Sequence, residues 1–389
     1  MVALDFRKAY DSIDRGRLLE ALVRYKINPG LIDLVARVYS GDEVVIRWGD
    51  REERIRVTSG IRQGCTASTT FFKLITYIII EELEGRGVLF EVDGVRINSL
   101  WFADDSIVVA NSVEAAERNL KIVKEIGGYF GLEINEKKSM ALVYRDKGEI
   151  REIGGIKVVD SIKYLGIKVG KDRDIFKEQK IKIENEVEGK ACRLRKVVEK
   201  SYNRLEVGKT WWKNGVVPGL LHGVGVLDLG EGLINKLQKV EYRVYRQLLG
   251  AEGYAPLAVM RGEVGASLVR TRVISSRIML VKGIIDGDNG LVKKVLGKVR
   301  NLGSFKWNKT LNRFLMEVGI GYDELGNLSK EEIKKRIKDY DTGCWERELT
   351  GLSSVGIYRE YRGGWGMVDA MIIGLNRYCY LGLGQTLCS

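Results

Sequence analysis

The chain has 389 residues and carries 64 Lys and Arg against 52 Asp and Glu, which gives a formal net charge of +12 at pH 7. Hydrophobic residues make up 45% of it, enough for two or three globular domains, which excludes a disordered tail. The apolar stretch 71–80 contains Lys73 and is far shorter than the roughly 20 residues of a membrane helix. Asp5, Arg7 and Lys8 interrupt any secretion signal. We therefore expect a protein of the nucleus or cytoplasm, neither secreted nor membrane-embedded, whose positive charge favours a polynucleotide partner.

The chain begins with an apolar strand over residues 2–4, and this strand delivers the carboxylate of Asp5 before the pattern breaks towards a helix. A small, polar turn over 60–68 then leads into an apolar stretch, and such a turn lets backbone N–H groups at a helix start approach an anionic substrate. Hydrophobic periodicity predicts further elements: helices near 17–26, 31–38 and 112–127, and a hairpin of 44–48 and 54–57. Alternating strands and helices indicate an α+β fold.

Two adjacent carboxylates, Asp104 and Asp105, lie between two apolar runs. This pattern predicts two strands joined by a tight turn that carries both side chains out of a sheet. An ordinary solvated turn is the alternative interpretation. If Asp5 joins the pair, the three carboxylates can hold two divalent ions about 3.5–4 Å apart, as a phosphoryl transfer requires.

A basic stripe is expected further along the chain, where Arg193, Lys196, Lys200 and Arg204 recur at spacings of three, four and four. On one helix these residues share a face. A second face is formed by the apolar stripe Ala191, Leu194, Val198, Tyr202 and Leu205. A merely soluble amphipathic helix is the alternative. Beyond residue 208 the pattern is mostly helical, with an apolar stripe over 233–248 closed by Gly250 and a capping box at Ser329.

Five segments, in this order, resemble palm motifs A to E of the reverse transcriptase of a non-LTR (LINE-type) retrotransposon. They are Leu-Asp-Phe-Arg-Lys-Ala-Tyr-Asp (4–11), Gly-Ile-Arg-Gln-Gly-Cys (60–65), Phe-Ala-Asp-Asp (102–105), Gly-Leu-Glu-Ile-Asn-Glu-Lys-Lys-Ser (131–139) and Lys-Tyr-Leu-Gly-Ile (163–167). Segments 217–223, 237–250 and 261–265 resemble the thumb and connector that follow. The resemblance implies a polymerase palm whose antiparallel sheet carries the Asp-Asp hairpin (1–170), a helical thumb (171–250) and a mostly helical C-terminal region (251–389).

The resemblance also implies a catalytic site. Asp5 and Asp104 would bind two Mg²⁺ ions, with Mn²⁺ as the alternative metal, while Asp105 supports them and Phe6 adds a backbone carbonyl. Lys138 would protonate the leaving pyrophosphate, although a solvated lysine is the other interpretation.

The family's substrate contacts fall on further residues. Tyr10 would block a ribose 2′-OH and so select deoxynucleotides, unless it is only a core aromatic. Gln63 and Gly64 would contact the incoming nucleotide and the template. The basic stripe would grip the template–primer duplex. Residues 66–70 lack the prolines common in the family, which leaves the local turn geometry open.

The cysteines show no paired short spacing, which argues against a disulfide scaffold or a complete zinc site. Cys388 is either the first ligand of a severed zinc knuckle or a free apolar residue. The family's fingers region and endonuclease would precede motif A, so the resemblance implies a truncated element.

The predicted function is RNA-directed DNA polymerisation, in which deoxynucleotides are added to a DNA primer on an RNA template. The missing fingers favour inactivity of this chain alone. The alternatives are a non-catalytic nucleic-acid-binding remnant, for which the basic stripe speaks, and an inert fragment that does not fold stably.

Overall fold

A computed structural model describes residues 1–144, 149–199, 201–251, 255–303 and 305–352. The chain divides into two compact units, Met1–Glu178 and Gln179–Ser389. In the described ranges, no helix combines the length and the apolar character that a membrane crossing needs. The finer division at residue 250 stays a prediction.

The first unit mixes strands and helices. In chain order these are β1 (Val2–Leu4), α1 (Arg15–Arg24), α2 (Pro29–Tyr39), β2 (Glu43–Trp48), β3 (Arg51–Arg56), α3 (Thr66–Arg86), β4 (Phe90–Val92), β5 (Val95–Ile97), β6 (Ser99–Phe102), β7 (Asp105–Val108), α4 (Val113–Tyr129), β8 (Met140–Ala141), β9 (Glu152–Ile153), β10 (Ile156–Lys157), β11 (Ser161–Tyr164) and β12 (Ile167–Gly170). The expected α+β class is confirmed, and so are the helices and the hairpin expected before residue 130.

The central sheet has four antiparallel strands in the order β6-β7-β1-β8. Strand β1, one of the two inner strands, is apolar. Its residues Val2 and Leu4 are buried because helices that follow in the chain cover them. From α3 the core receives Ile75 and Ile79, and from α4 it receives Leu120. Burial of this apolar surface fixes the strand that leads to Asp5.

Side-chain caps start the helices where the sequence places hydrogen-bonding residues. Asp14 accepts from the Arg17 N–H at the start of α1, Asn28 accepts from the Gly30 N–H before α2, and Ser112 accepts from the Ala115 N–H before α4. Each cap satisfies an N–H that has no partner inside the helix.

The second unit is helical. Its elements are α5 (Lys177–Val198), α6 (Arg204–Thr210), a π-helical turn (Trp211–Val216), α7 (Val217–Leu220), α8 (Gly230–Leu249), α9 (Leu257–Val264), α10 (Val269–Asp286), α11 (Gly290–Asn301), α12 (Lys306–Glu317), a 3₁₀ turn (Asp323–Gly326) and α13 (Lys330–Thr350). Helix α5 begins two residues before the first residue of this unit, Gln179. Two expected ends are confirmed: Gly250 closes α8 in the left-handed conformation, and Ser329 forms a capping box with Glu332.

The single basic helix expected over 193–204 is wrong. Helix α5 ends at Val198, and Arg204 starts a separate helix, where the Asn203 side chain accepts from the Glu206 N–H at 3.2 Å. Asn favours this capping position over a helix interior because its side chain competes for backbone N–H groups. Tyr202, expected on the packed face, is fully exposed.

Candidate active site

The sheet brings Asp5 and the Asp-Asp turn together. Strands β1 and β7 pair antiparallel with Leu4 opposite Ser106, so that the next position along each strand places Asp5 opposite Asp105. Asp104 lies in the turn between β6 and β7, directly before Asp105. Asp5 and the adjacent pair Asp104 and Asp105, which lie about a hundred residues apart in sequence, therefore share one end of the sheet.

The electrostatics of these groups reflect this proximity. Burial raises the pKa of Asp105, and the neighbouring charges of Asp104 and Asp5 raise it further, while Lys163 acts in the opposite direction. Burial, and then Asp105, raises the pKa of Tyr164. Mutual repulsion among carboxylates is what a bound cation relieves.

The donor chemistry fits a hard divalent cation, since Mg²⁺ prefers carboxylate and carbonyl oxygens. As their side chains stand, however, the described residues include no group of three or more Asp, Glu, His or Cys arranged as a metal centre. Phe6, the expected carbonyl ligand, is buried and forms a bridge with Ile134. The assignment of metal ligands therefore stays a prediction.

The 131–139 segment packs directly against Asp5. The Asn135 N–H donates to the Asp5 carbonyl at 2.7 Å, and the Asp5 N–H donates to the Ser139 hydroxyl at 3.0 Å. These bonds help shape a cleft of about 440 Å³ whose lining is Asp5, Phe6, Arg7, Lys8, Asp11, Ser12, Asn135 and Lys138. The exposed Lys138 thus shares a cleft with Asp5, as a proton donor to a leaving group would need to.

Sequence reasoning gave no role to several of these cleft residues. Asp11 and Lys8 lie within the segment quoted for motif A, and their charged character was the signal that could have identified them. Lys8 has a φ of 46°, a conformation that non-glycine residues seldom adopt. After this turn the chain lines the cleft again at Asp11 and Ser12.

Tyr10 lies close to the acidic turn. Its ring stacks on Phe72 with centroids 4.9 Å apart and an interplanar angle of 12°. Burial and the charge of Asp104 raise the pKa of Tyr10. The half-buried ring therefore has one face against the core and lies near Asp104, and both interpretations from sequence stay predictions.

The loop that contains Gln63 and Gly64 is bonded to the segment after Asp5. The Gly60 N–H donates to the Ile13 carbonyl at 2.7 Å, and the Ile61 N–H donates to the Tyr10 carbonyl at 2.8 Å. Gln63 donates to the Asp11 carboxylate at 3.2 Å. Gly60 has a φ of 83°, and a Cβ there would lie 2.6 Å from the Asp11 carbonyl oxygen, so glycine is required for this close approach.

A network that sequence reasoning did not find holds this loop from the other side. Arg15 donates to the carbonyls of Gly60, Tyr39 and Val57 and to Asp42 at distances of 2.7 to 3.1 Å. The second oxygen of Asp42 accepts from Arg62 at 2.8 Å. Hydrogen bonding by Arg62, with Arg15 adding to it, holds the pKa of Asp42 below its ordinary value. We call these residues the Arg15–Asp42–Arg62 clamp.

The expected nucleic-acid residues are only partly brought together. Arg193 and Lys196 are exposed on α5, Arg204 is on α6, and Lys200 lies outside the described residues. Cys379 and Cys388 also lie outside the described residues, so the expectation of a zinc knuckle at Cys388 stays a prediction. Cys65, Cys192 and Cys344 are free thiols.

Residues 1–169 match the family model described as reverse transcriptase (RNA-dependent DNA polymerase). This match covers all five quoted segments and the three carboxylates. Residues 1–169 are therefore similar to reverse transcriptases.

The chain is also similar to Pol proteins of retrotransposable elements. One relative is the retrovirus-related Pol polyprotein from type-1 retrotransposable element R2 of Bradysia coprophila, 25% identical over 53% of this chain and 26% of that protein. A second, from type-2 retrotransposable element R2DM of Drosophila melanogaster, is 23% identical over 63% of this chain and 24% of that protein. A third, from type-1 retrotransposable element R1 of Nasonia vitripennis, is 27% identical over 36% of this chain and 47% of that protein.

The match to the first two relatives covers only about a quarter of their length. Among solved structures, telomerase from Candida albicans in complex with a TWJ fragment of telomeric RNA is similar with a TM-score of 0.34 and 10% identity, over 80% of this chain and 49% of that one. A similarity this weak supports no structural argument.

Proposed function

We propose that residues 1–169 are the reverse transcriptase domain of a non-LTR retrotransposon, an RNA-directed DNA polymerase that adds deoxynucleotides to the 3′ end of a DNA primer. The observation that supports this best is the β1–β7 register, which sets Asp5 opposite Asp105 beside Asp104. In this proposal residues 1–170 are the polymerase palm, and the helices of the second unit include the thumb.

Each residue of the site has a chemical role in this proposal. Asp5, Asp104 and the Phe6 carbonyl hold the metal ions, and Asp105 supports them through its negative charge. Two bound Mg²⁺ ions would supply positive charge for the attacking and leaving oxygens of the phosphoryl transfer. Lys138, in the cleft with Asp5, donates a proton to the departing pyrophosphate.

The remaining residues select and position the substrate. Tyr10, held against Phe72, excludes a ribose 2′-OH by its bulk. Gln63 and Gly64 contact the nucleotide and template from the loop that is bonded to Ile13 and Tyr10. Gly64 has a φ of 86°, and a Cβ added to it would meet no described atom within 4 Å, so the backbone there is open to a ligand.

Primer extension on an RNA template tests this function. We expect product that depends on Mg²⁺ from the wild-type chain and none from Asp104→Asn, because removal of one carboxylate charge disrupts the metal pair. Asp93→Asn, in the turn between β4 and β5, is the matched control and should retain full activity. Absence of product from a folded wild-type chain would reject polymerase activity for this chain.

A second candidate function is nucleic-acid binding without catalysis. It is favoured by the absence, among the described side chains, of a preformed group of three metal ligands. It predicts salt-dependent binding to a duplex that Asp104→Asn leaves intact, with no primer extension by either protein.

A further inference from the structure

Helix α11 and all of helix α12 except its last residue, Glu317, belong to a stretch of the second unit that contains no acidic residue. Between Asp288 and Glu317 there is no Asp or Glu. The basic residues in the same stretch are Lys293, Lys294, Lys298, Arg300, Lys306, Lys309 and Arg313. This is a stronger local excess of positive charge than on α5, where glutamates alternate with lysines.

Three of these basic groups are engaged within the protein. Lys306 pairs with Asp228 at 3.0 Å, and Arg313 pairs with Glu231 at 2.8 Å. The Arg300 guanidinium lies 3.3 Å from the centroid of the Tyr322 ring. These contacts leave four lysines, of which three are on α11.

The lysines of α11 face solvent. Lys293, Lys294 and Lys298 are exposed, and no ion pair of theirs occurs in the part of the chain that the structure describes. Leu296 is the buried residue of this helix. At 100° per residue, Lys294 and Lys298 lie one turn apart on the side opposite Leu296.

The far end of α11 is fixed in place. The Asn308 side chain donates to the carbonyls of Val299, Arg300 and Leu302, which close the C-terminal end of the helix. Lys294 and Lys298 are like charges at i and i+4, which weakens a helix by a few tenths of a kcal/mol. An anionic partner bound to α11 would neutralise these charges and relieve the repulsion between Lys294 and Lys298.

We propose that Lys294 and Lys298, with Lys293 at the edge of their face, form a nucleic-acid contact surface. Lysine ammonium groups act as point charges on phosphates, so the contact is independent of base sequence. An anionic membrane fits less well, because interfacial helices use Trp, Phe or Leu on their apolar face, and the exposed apolar side chains of α11 are Val292 and Val295. This inference goes beyond the proposed function, since it assigns a surface that no catalytic residue shares.

The test is fluorescence anisotropy of the full chain with a labelled RNA–DNA duplex, titrated over salt concentration. We expect the triple variant Lys293→Glu, Lys294→Glu, Lys298→Glu to weaken binding by at least about tenfold near 0.1 M salt, and to reduce the slope of log affinity against log salt by about one per lysine. The matched control is Lys334→Glu, Lys335→Glu, Lys338→Glu. It makes the same charge change on exposed lysines of α13, where acidic residues are interspersed, and we expect it to have little effect on either quantity.

Equal losses in the two triple variants would overturn the proposal, because they would show a general effect of net charge. Loss of binding to anionic phospholipid vesicles with unchanged duplex binding would also overturn it. Should circular dichroism show that the Glu variant is unfolded, the double variant Lys294→Gln, Lys298→Gln replaces it, with an expected slope reduction of about two. Binding requires no polymerase activity, so this result is independent of the primer-extension outcome.

Discussion

Asp105 lies beside two other carboxylates, and its raised pKa has a consequence for stability. Because the folded-state pKa is above the ordinary value of 3.8, the folded state binds this proton more tightly than the unfolded state does. Stability from this group is therefore present at low pH and is lost as pH rises from about 3.8 through the raised folded-state pKa. At neutral pH the ionised group disfavours the metal-free fold.

We expect Asp105→Asn to stabilise the metal-free chain at neutral pH by less than about 1 kcal/mol, since the group is exposed enough for solvent to screen it. Below pH 3.8 the Asp105 carboxyl is protonated in both the folded and the unfolded chain. The wild type and Asp105→Asn should then have equal free energies of unfolding as far as this side chain contributes. Thermal melts at both pH values measure the difference. Addition of Mg²⁺ should raise the melting temperature of the wild type more than that of the variant, and equal shifts would contradict carboxylate binding of the metal.

Tyr10 is held by its stack on Phe72, so its bulk rather than its hydroxyl should exclude ribonucleotides. We expect Tyr10→Val to lower the preference for deoxynucleotides, measured as a ratio of kcat/KM values, by roughly tenfold or more. Tyr10→Phe keeps the ring and should retain the preference. If Tyr10→Phe loses as much as Tyr10→Val, the hydroxyl and not the bulk makes the selection.

Between elements, the Arg15–Asp42–Arg62 clamp joins α1, the base of the β2–β3 hairpin and the loop before α3. Side chains of Arg15 and Asp42 are 12% and 13% exposed, so their hydrogen bonds are largely shielded from water. We infer that the clamp keeps the Gln63 loop against the segment after Asp5.

Asp42→Asn should weaken this attachment because it removes the charge that both arginines share. We expect a loss of roughly 1–3 kcal/mol in the free energy of unfolding, and faster hydrogen exchange of the backbone at 60–64. In primer extension the KM for nucleotide should rise more than kcat falls. Asp33→Asn, which breaks only an exposed pair with Arg37, should change stability by less than about 0.5 kcal/mol.

Predictability differs among the elements for a physical reason. Helices α1, α2 and α4, the β2–β3 hairpin and the caps of α8 and α13 follow from local periodicity and capping residues, and all were predicted. The break between α5 and α6 was missed because apolar spacing continued through Tyr202, while the deciding interaction was the Asn203 cap. The clamp was missed because Arg15 and Asp42 meet only in the folded chain.

At the scale of the whole molecule, the second unit encloses charges as well as apolar side chains. Glu241 is 2% exposed. It accepts from Trp212 at 3.0 Å and from Arg272 at 2.8 Å. These bonds join the π-helical turn, α8 and α10, and they give the buried Glu241 carboxylate the partners that its burial requires.

Glu241→Ala should destabilise the chain by roughly 3–5 kcal/mol, since it leaves the half-buried charge of Arg272 without its carboxylate partner. Denaturant unfolding followed by tryptophan fluorescence measures the loss. Glu184→Ala is the matched control, because its pair with Lys236 is exposed, and we expect a change of less than about 1 kcal/mol. Similar losses for the two variants would mean that the buried network contributes little.

The sequence by itself determined the α+β class, most helix and strand positions and the order of the five motifs, because these depend on neighbours within a few residues. It also indicated which side chains could form a polymerase site. Only the tertiary structure decided that Asp5 lies opposite Asp105, that Lys138 shares a cleft with Asp5, and that the lysines of α11 lack acidic partners among the described residues. Those relations depend on strand register and on packing between residues far apart in the chain, which local patterns do not encode.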